Sequence, residues 1–249
     1  MADDAPAAPR LAISTQWARR FASASEFAEQ VLALGIGRIE LNYEPTPAQI
    51  KDILTVPGIA ISSVHLPAPH AVYNGRAAFR LPLNAPDETE RQAALGFARV
   101  GLELASEVGA KTVVVHAGAV PGPWPVEGRL RRLYRRGYAD SEDYRATYNQ
   151  LMALRAMYAP PALERTRRSL SQLAEWASRF GIVLGLESRY YYSEIPNLNE
   201  AAQLIDEFGD AVGYWHDTGH VENLARLAAR RRSHPRHRWP GRPSRAGSR

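Results

Sequence analysis

Six short apolar runs, each followed by a longer stretch of helical period, set the rhythm of this chain. Leu11–Ser14, Arg38–Asn42, Ile59–Val64, Thr112–Val115, Ile182–Leu186 and Val212–Trp215 read as strands. Most are continuous apolar runs, as parallel strands covered on both faces are. Between them fall helical segments with stop and start signals. Ser25–Leu34 is predicted as a helix capped by Ser25 and stopped at Gly35. Thr46-Pro47 supplies a cap and a first-turn proline to a helix ending near Pro57-Gly58. From Asp87 to Val108, the apolar positions Ala94, Phe97, Gly101, Leu104 and Val108 keep the helical period up to Gly109. A helix from about Pro161 to Phe180 carries Leu163, Leu170, Leu173, Ala177 and Phe180 on one face, and Gly181 ends it. A capped helix, Asn199–Phe208, precedes the sixth strand, and another begins near His220. Strands alternating with such helices predict an α/β fold of βαβ units and a parallel sheet. That gives six β/α units where a closed TIM-type (β/α) barrel needs eight.

The residues that close these runs carry the chemistry. His65, His116, Glu187 and Asp217 each follow an apolar stretch, and His220 comes three positions after Asp217. An ionisable group closing a buried strand is costly unless it is paired or holds a metal. In a parallel barrel all strand C-termini meet on one face, where active sites sit. Imidazoles and carboxylates converging there suit a divalent ion such as zinc or manganese. The competing reading of each residue is structural: a hydrogen-bonded rim histidine, or a carboxylate paired with a neighbour such as Arg189. His216 alternates to the opposite side from Asp217 and is expected to be structural. His70, His234 and His237 are expected in solvent.

Composition changes the picture at the ends of the chain. The formal charge of +5 belongs to residues 228–249, which hold eight arginines and no acid. Subtracting them leaves 31 − 8 = 23 basic against 26 acidic residues, a net of −3. Nucleic acid is therefore not an expected partner of the fold. Residues 1–9 lack the apolar core of a signal peptide and are expected to be flexible. No apolar run approaches the roughly 18 residues of a membrane helix, and there is no cysteine. These features predict a cytoplasmic location.

The motifs Val64-His65-Leu-Pro67, Val115-His116-Ala-Gly118, Leu186-Glu187-Ser-Arg189 and Trp215-His-Asp217-Thr-Gly-His220 stand in order at the third to sixth units. In this order and spacing the chain resembles the xylose isomerase-like TIM-barrel superfamily, which includes sugar and sugar-phosphate isomerases and epimerases and the endonuclease IV group. The likeness spans roughly residues 10–227. It implies that Glu187 and Asp217 ligate a divalent metal (Mn, Zn, Mg or Co), and that Glu187 also moves a proton on a sugar-like substrate. It implies that His220 binds substrate oxygen or a second metal. His65 and His116 would ligate extra zinc, as in the endonuclease branch, or line the substrate pocket. Glu40 would support these groups or touch substrate, and Arg189 would support them.

The superfamily's histidine after strand seven and glutamate after strand eight have no counterpart here. The stretch beyond Leu227 lacks Ile, Leu, Val and Phe, and is rich in residues that G/C-rich codons yield out of frame. It is expected to be a frameshifted or truncated end rather than a genuine basic tail, and disordered in either case. The implied activity is isomerisation or epimerisation of a sugar or polyol by enediolate proton transfer, impaired in this chain. The alternatives are an endonuclease IV-like phosphodiester hydrolase and an inactive barrel fragment. An incomplete barrel also predicts self-association through its open edge. The long segment Ala119–Tyr158 is expected to be a helical insertion after strand four. Its arginines between Arg129 and Arg136 form a solvated basic face or, in the minority reading, a phosphate-gripping lid. Tyr190-Tyr-Tyr192 would wall the pocket or pack beneath that lid.

Overall fold

The computed structural model describes residues 11–229. Six parallel strands form one sheet in simple chain order: β1 (Ile13–Ser14), β2 (Arg38–Leu41), β3 (Ala60–His65), β4 (Thr112–Val115), β5 (Val183–Glu187) and β6 (Val212–Trp215). The helices are α1 (Ala24–Ala33), α2 (Pro47–Leu54), α3 (Glu88–Glu107), α4 (Trp124–Arg135), α5 (Glu142–Arg179), α6 (Leu198–Phe208) and α7 (Thr218–Ala229). This is the wall of a TIM-type barrel with six staves. Among the described residues, β1 and β6 each have a strand on one side only. The segments expected to be flexible at the N-terminus and disordered in the tail lie almost wholly outside the described residues. The exception is the start of the tail, because α7 continues past Leu227 to Ala229. Leu227 is buried and its carbonyl accepts a 2.7 Å hydrogen bond from the Tyr144 hydroxyl, which anchors that last turn.

The pleat sorts the strands into two chemistries. Ile39, Leu41, Ile61, Val64, Val113, Val115, Leu184 and Leu186 join the apolar core with Phe27, Val31, Ile53, Leu95 and Leu170 from the surrounding helices. The opposite face carries Glu40, Ser63, His65, Val114, Gly185 and Glu187. Strict alternation would put Ile61, Ser63 and His65 on one side. A register shift opposite Ile39/Glu40 separates them, so that Ile61 pairs with Ile39 while Ser63 pairs with Glu40. Ser62 is the extra residue, and its hydroxyl donates to the Ile39 carbonyl at 3.1 Å. The bulge turns Ser63 and His65 inward and leaves Val64 in the core. Gly185 gives the Trp215 side chain room: a Cβ there would sit 3.2 Å from its ring and 3.4 Å from its Cβ, tighter than ordinary contact.

Some boundaries differ from those predicted. Helix α1 is capped by Ser23, whose side chain accepts from the Glu26 amide, not by Ser25. Helix α6 starts earlier than the expected Asn199: it begins at Leu198 and Asn197 is its cap, in a reciprocal box with Glu200. The largest difference is α5. It was expected to start at Pro161, yet it starts at Glu142 and runs through Pro160 and Pro161. An internal proline costs about 3 kcal/mol. A continuous buried stripe through Tyr144, Tyr148, Leu151, Arg155, Ala159, Ala162, Thr166, Leu170, Leu173 and Ala177 outweighs it. The carbonyls deprived of partners belong to the exposed residues Ala156 and Met157 and face water.

Candidate metal centre

The C-terminal ends of β3 to β6 bring His65, His116, Glu187, Asp217 and His220 to one mouth. They fall into two groups, His65–His116–Glu187 and Glu187–Asp217–His220, within each of which potential ligand atoms lie within 4.8 Å of one another. Glu187 belongs to both. It is 4% exposed, at the end of a strand buried on both sides.

In the first group the His65 and His116 Nε2 atoms are 2.9 Å apart. Glu187 Oε2 contacts His116 Nε2 and lies 3.8 Å from His65 Nε2. Behind His65, Glu40 Oε1 stands 3.9 Å from Nδ1, and its other oxygen accepts from Ser63 at 3.0 Å. In the second group, the Ser188 carbonyl lies 2.7 Å from His220 Nδ1. A carbonyl only accepts, so Nδ1 carries the proton and the Nε2 lone pair is free. That lone pair lies 3.6 Å from Asp217 Oδ2, another acceptor. Asp217 Oδ1 meanwhile caps α7 through the His220 amide at 2.8 Å. Ser188 Oγ receives the Asp217 amide at 2.9 Å.

These donors fit a divalent cation. Three basic atoms converge in the first group with fewer protons than contacts, and two lone pairs face each other in the second. Imidazole nitrogens and carboxylate oxygens are the ligands of zinc, manganese and cobalt sites. Burial pushes the His116 imidazole below its ordinary range, against the raising contact of Glu187 and with help from Arg189 and His65. Solvent still reaches 37% of that side chain, which limits the size of the shift but not its sign. A neutral imidazole is the ligating form. Burial alone would raise the Glu187 carboxyl; the hydrogen bond and charge of His116, with His65 and Arg189, outweigh it and leave it lowered.

Arg189 bridges two carboxylates, Glu187 at 3.3 Å and Glu194 at 2.6 Å. Glu194 and Ser188 were not singled out from the sequence. Glu194 sits on a two-residue strand, Glu194–Ile195, paired with Gly118–Ala119, too short to leave an apolar run. A cavity of about 680 Å³ opens at this mouth, lined by His116, Arg189, Tyr190, Tyr191, Glu194 and His220, with Tyr43 and Phe79 among its other walls. His216 points away from the group and faces the Tyr214 hydroxyl at 3.4 Å. His70 is exposed beside the Tyr43 carbonyl. His234 and His237 lie outside the described residues. Of the insertion's arginines, Arg129 pairs with Asp143 at 2.5 Å. Arg131, expected on a solvated face, instead turns inward: its guanidinium carbon lies 4.7 Å and 4.3 Å from the Tyr190 and Tyr191 ring centres. Tyr190 and Tyr191 wall the cavity, while Tyr192 packs edge-on against Tyr148 beneath the insertion.

The profile of the family described as xylose isomerase-like TIM barrel matches residues 28–237, and the chain belongs to that family. No curated protein matches the chain in sequence. Among solved structures it is similar to a D-tagatose 3-epimerase-like protein, at 19% identity and TM-score 0.58, over 89% of this chain and 71% of that one. It is similar to 3-keto-D-glucoside 4-epimerase YcjR from E. coli, at 19% identity and TM-score 0.58, over 89% and 74% of the two chains. An L-ribulose 3-epimerase matches at 18% identity and TM-score 0.55, over 86% of this chain and 62% of its own. At these identities the likeness is one of fold. No helix among the described residues is long and apolar enough to cross a membrane.

Proposed function

We propose that this chain is a divalent-metal-dependent isomerase or epimerase of a sugar or sugar-like polyol. The observation that carries this reading is the shared carboxylate of Glu187, standing between two donor groups at the barrel mouth. The fold shared with solved sugar epimerases supports it. Glu187 and Asp217 would hold the ion, and His65, His116 and His220 would adjoin it. The ion would supply Lewis-acid polarisation of neighbouring carbonyl and hydroxyl oxygens of the sugar, favouring an enediolate. Glu187 would remove the proton from the carbon beside the carbonyl, and isomerisation would follow when it delivers that proton to the neighbouring carbon of the enediolate. The contacts of His116, His65 and Arg189 keep that carboxylate ionised, the form a base requires. His220, with Nδ1 tied to Ser188, would offer Nε2 to a substrate hydroxyl. The Tyr190–Tyr191 wall would shield the reacting carbon from bulk water.

Incubation of the Mn2+-loaded chain with D-tagatose in D2O tests this. We expect deuterium to enter at the carbon beside the carbonyl, and Glu187→Gln to abolish it. No incorporation above a protein-free control, with Mn2+ bound, would refute the reading. One observation favours a second reading, metal-assisted phosphodiester hydrolysis: His65 and His116 converge on Glu187 to give a second donor group next to the first. Binding of two or more Zn2+ ions together with cleavage of abasic-site DNA would establish it instead.

A further inference from the structure

We propose that Glu127 and Arg131 of α4 are positioning residues for the sugar wall formed by Tyr190 and Tyr191, making α4 a fixed support for that wall. This rests on the reading of that mouth as a sugar site.

Helix α4 belongs to the long segment after β4 and would need no charged group underneath if it merely packed there. It buries one. Glu127 is 1% exposed and accepts from the Tyr192 amide at 3.0 Å, the Ser193 amide at 2.8 Å, and Arg131 Nε and Nη2 at 3.0 and 2.9 Å. A buried carboxylate is tolerable only when satisfied in this way. Arg131 goes further: Nη2 also donates to the Tyr190 carbonyl at 2.7 Å, and the same carbonyl accepts from Asn223 of α7 at 2.9 Å. Helices from two parts of the chain thus clamp one carbonyl, and the guanidinium lies against both Tyr190 and Tyr191.

The clamp reaches the donor groups through one ring. Tyr190 packs edge-on against His220 with centres 5.6 Å apart, and Tyr191 packs against Trp124 of α4 at 5.2 Å. Tyr190 is nonetheless 37% exposed, so part of it remains open to the cavity that it lines. A flat, partly open aromatic surface next to metal-type donors is what the C–H face of a sugar ring stacks on. Arg131 therefore sets where the sugar stacks while leaving the donor atoms untouched.

The test uses the full Mn2+-loaded chain with D-tagatose as probe, comparing Arg131→Ala, Arg131→Lys and Glu127→Gln with the parent. We expect Arg131→Ala to raise KM, or the calorimetric Kd for D-tagatose, about tenfold, with Mn2+ affinity unchanged. Arg131→Lys should recover part of the loss, because an ammonium still stacks but cannot make the forked contacts. Hydrogen exchange of the Tyr192 and Ser193 amides should quicken in Glu127→Gln and Arg131→Ala. Unchanged sugar constants in folded Arg131→Ala, or a loss confined to kcat, overturns the proposal. If the parent binds neither Mn2+ nor D-tagatose, the functional reading fails and the clamp is decided by exchange alone: quickening confined to Tyr190–Ser193 retains it, and parental rates there reject it.

Discussion

The two donor groups that share Glu187 are built in opposite ways. Asp217 and His220 are held by backbone: the Ser188 carbonyl fixes the His220 tautomer, and Asp217 spends one oxygen capping α7. The His65 and His116 imidazoles contact other side chains: each other, Glu187 and, for His65, Glu40. A donor fixed by backbone is already in its binding geometry, whereas a cluster of side chains must settle around its ligand. The contrast teaches that the Asp217–His220 arm is the frame of the site and the histidine pair its adjustable part. Glu187 joins them, so its loss is the most damaging change. Glu187→Gln should weaken Mn2+ or Zn2+ binding by about a hundredfold or more, and calorimetric stoichiometry should fall for both groups together. Loss of one ion with retention of another at parental affinity would break the comparison, because it would mean that the groups do not share a ligand.

How much of this was legible beforehand follows from the same contrast. The strands were readable because a parallel strand leaves a continuous apolar run, and Thr112–Val115 and Val212–Trp215 have the predicted bounds. The closing residues were readable because an ionisable side chain after such a run is conspicuous. What supports them was not. Ser188, Glu194 and Glu127 act through backbone amides, carbonyls and an arginine on other elements, and nothing in their local pattern separates them from surface residues. The bulge at Ser62 left only a broken alternation, apolar at Ile61 and Val64 with two serines between. The start of helix α5 is hidden in the sequence because Pro160-Pro161 is a strong local stop signal, and only tertiary burial of the stripe around it overrides that signal.

Asp217 separates the frame's two duties. Asp217→Asn keeps an oxygen to cap the His220 amide but removes the charge, so stability should stay within about 0.5 kcal/mol of the parent while Mn2+ affinity falls steeply. Asp217→Ala removes the cap as well and should cost about 1 kcal/mol more, read by urea unfolding of the metal-free protein. Equal stability of the two variants would show that the cap carries little. His116→Asn is the matching change in the adjustable part. It should lower affinity less than Asp217→Asn, since His65 and Glu187 remain.

The smallest effect distinguishes the arms by pH. In the protein treated with chelator, burial holds the His116 imidazole down at about 4 against an ordinary value of 6.5. Between those values the unfolded chain binds a proton that the folded chain refuses, so stability falls as pH drops from about 6.5 toward 4. Glu187, lowered from its ordinary 4.5, adds a second loss below that value, where the unfolded carboxyl protonates first. His116→Asn should flatten the upper part of this profile. It should also shrink the lower part, because His116 is itself the largest of the influences that lower Glu187. Glu187→Gln should remove the lower part and deepen the depression of His116, which loses its one raising partner. With more than a third of the His116 side chain in water, the slope should be shallow, and thermal melts at half-unit pH steps are the measurement suited to it. A profile between pH 4 and 6.5 that is identical in the parent and in His116→Asn would mean that the imidazole takes up its proton freely, and that the adjustable arm is open to solvent rather than held neutral by the fold.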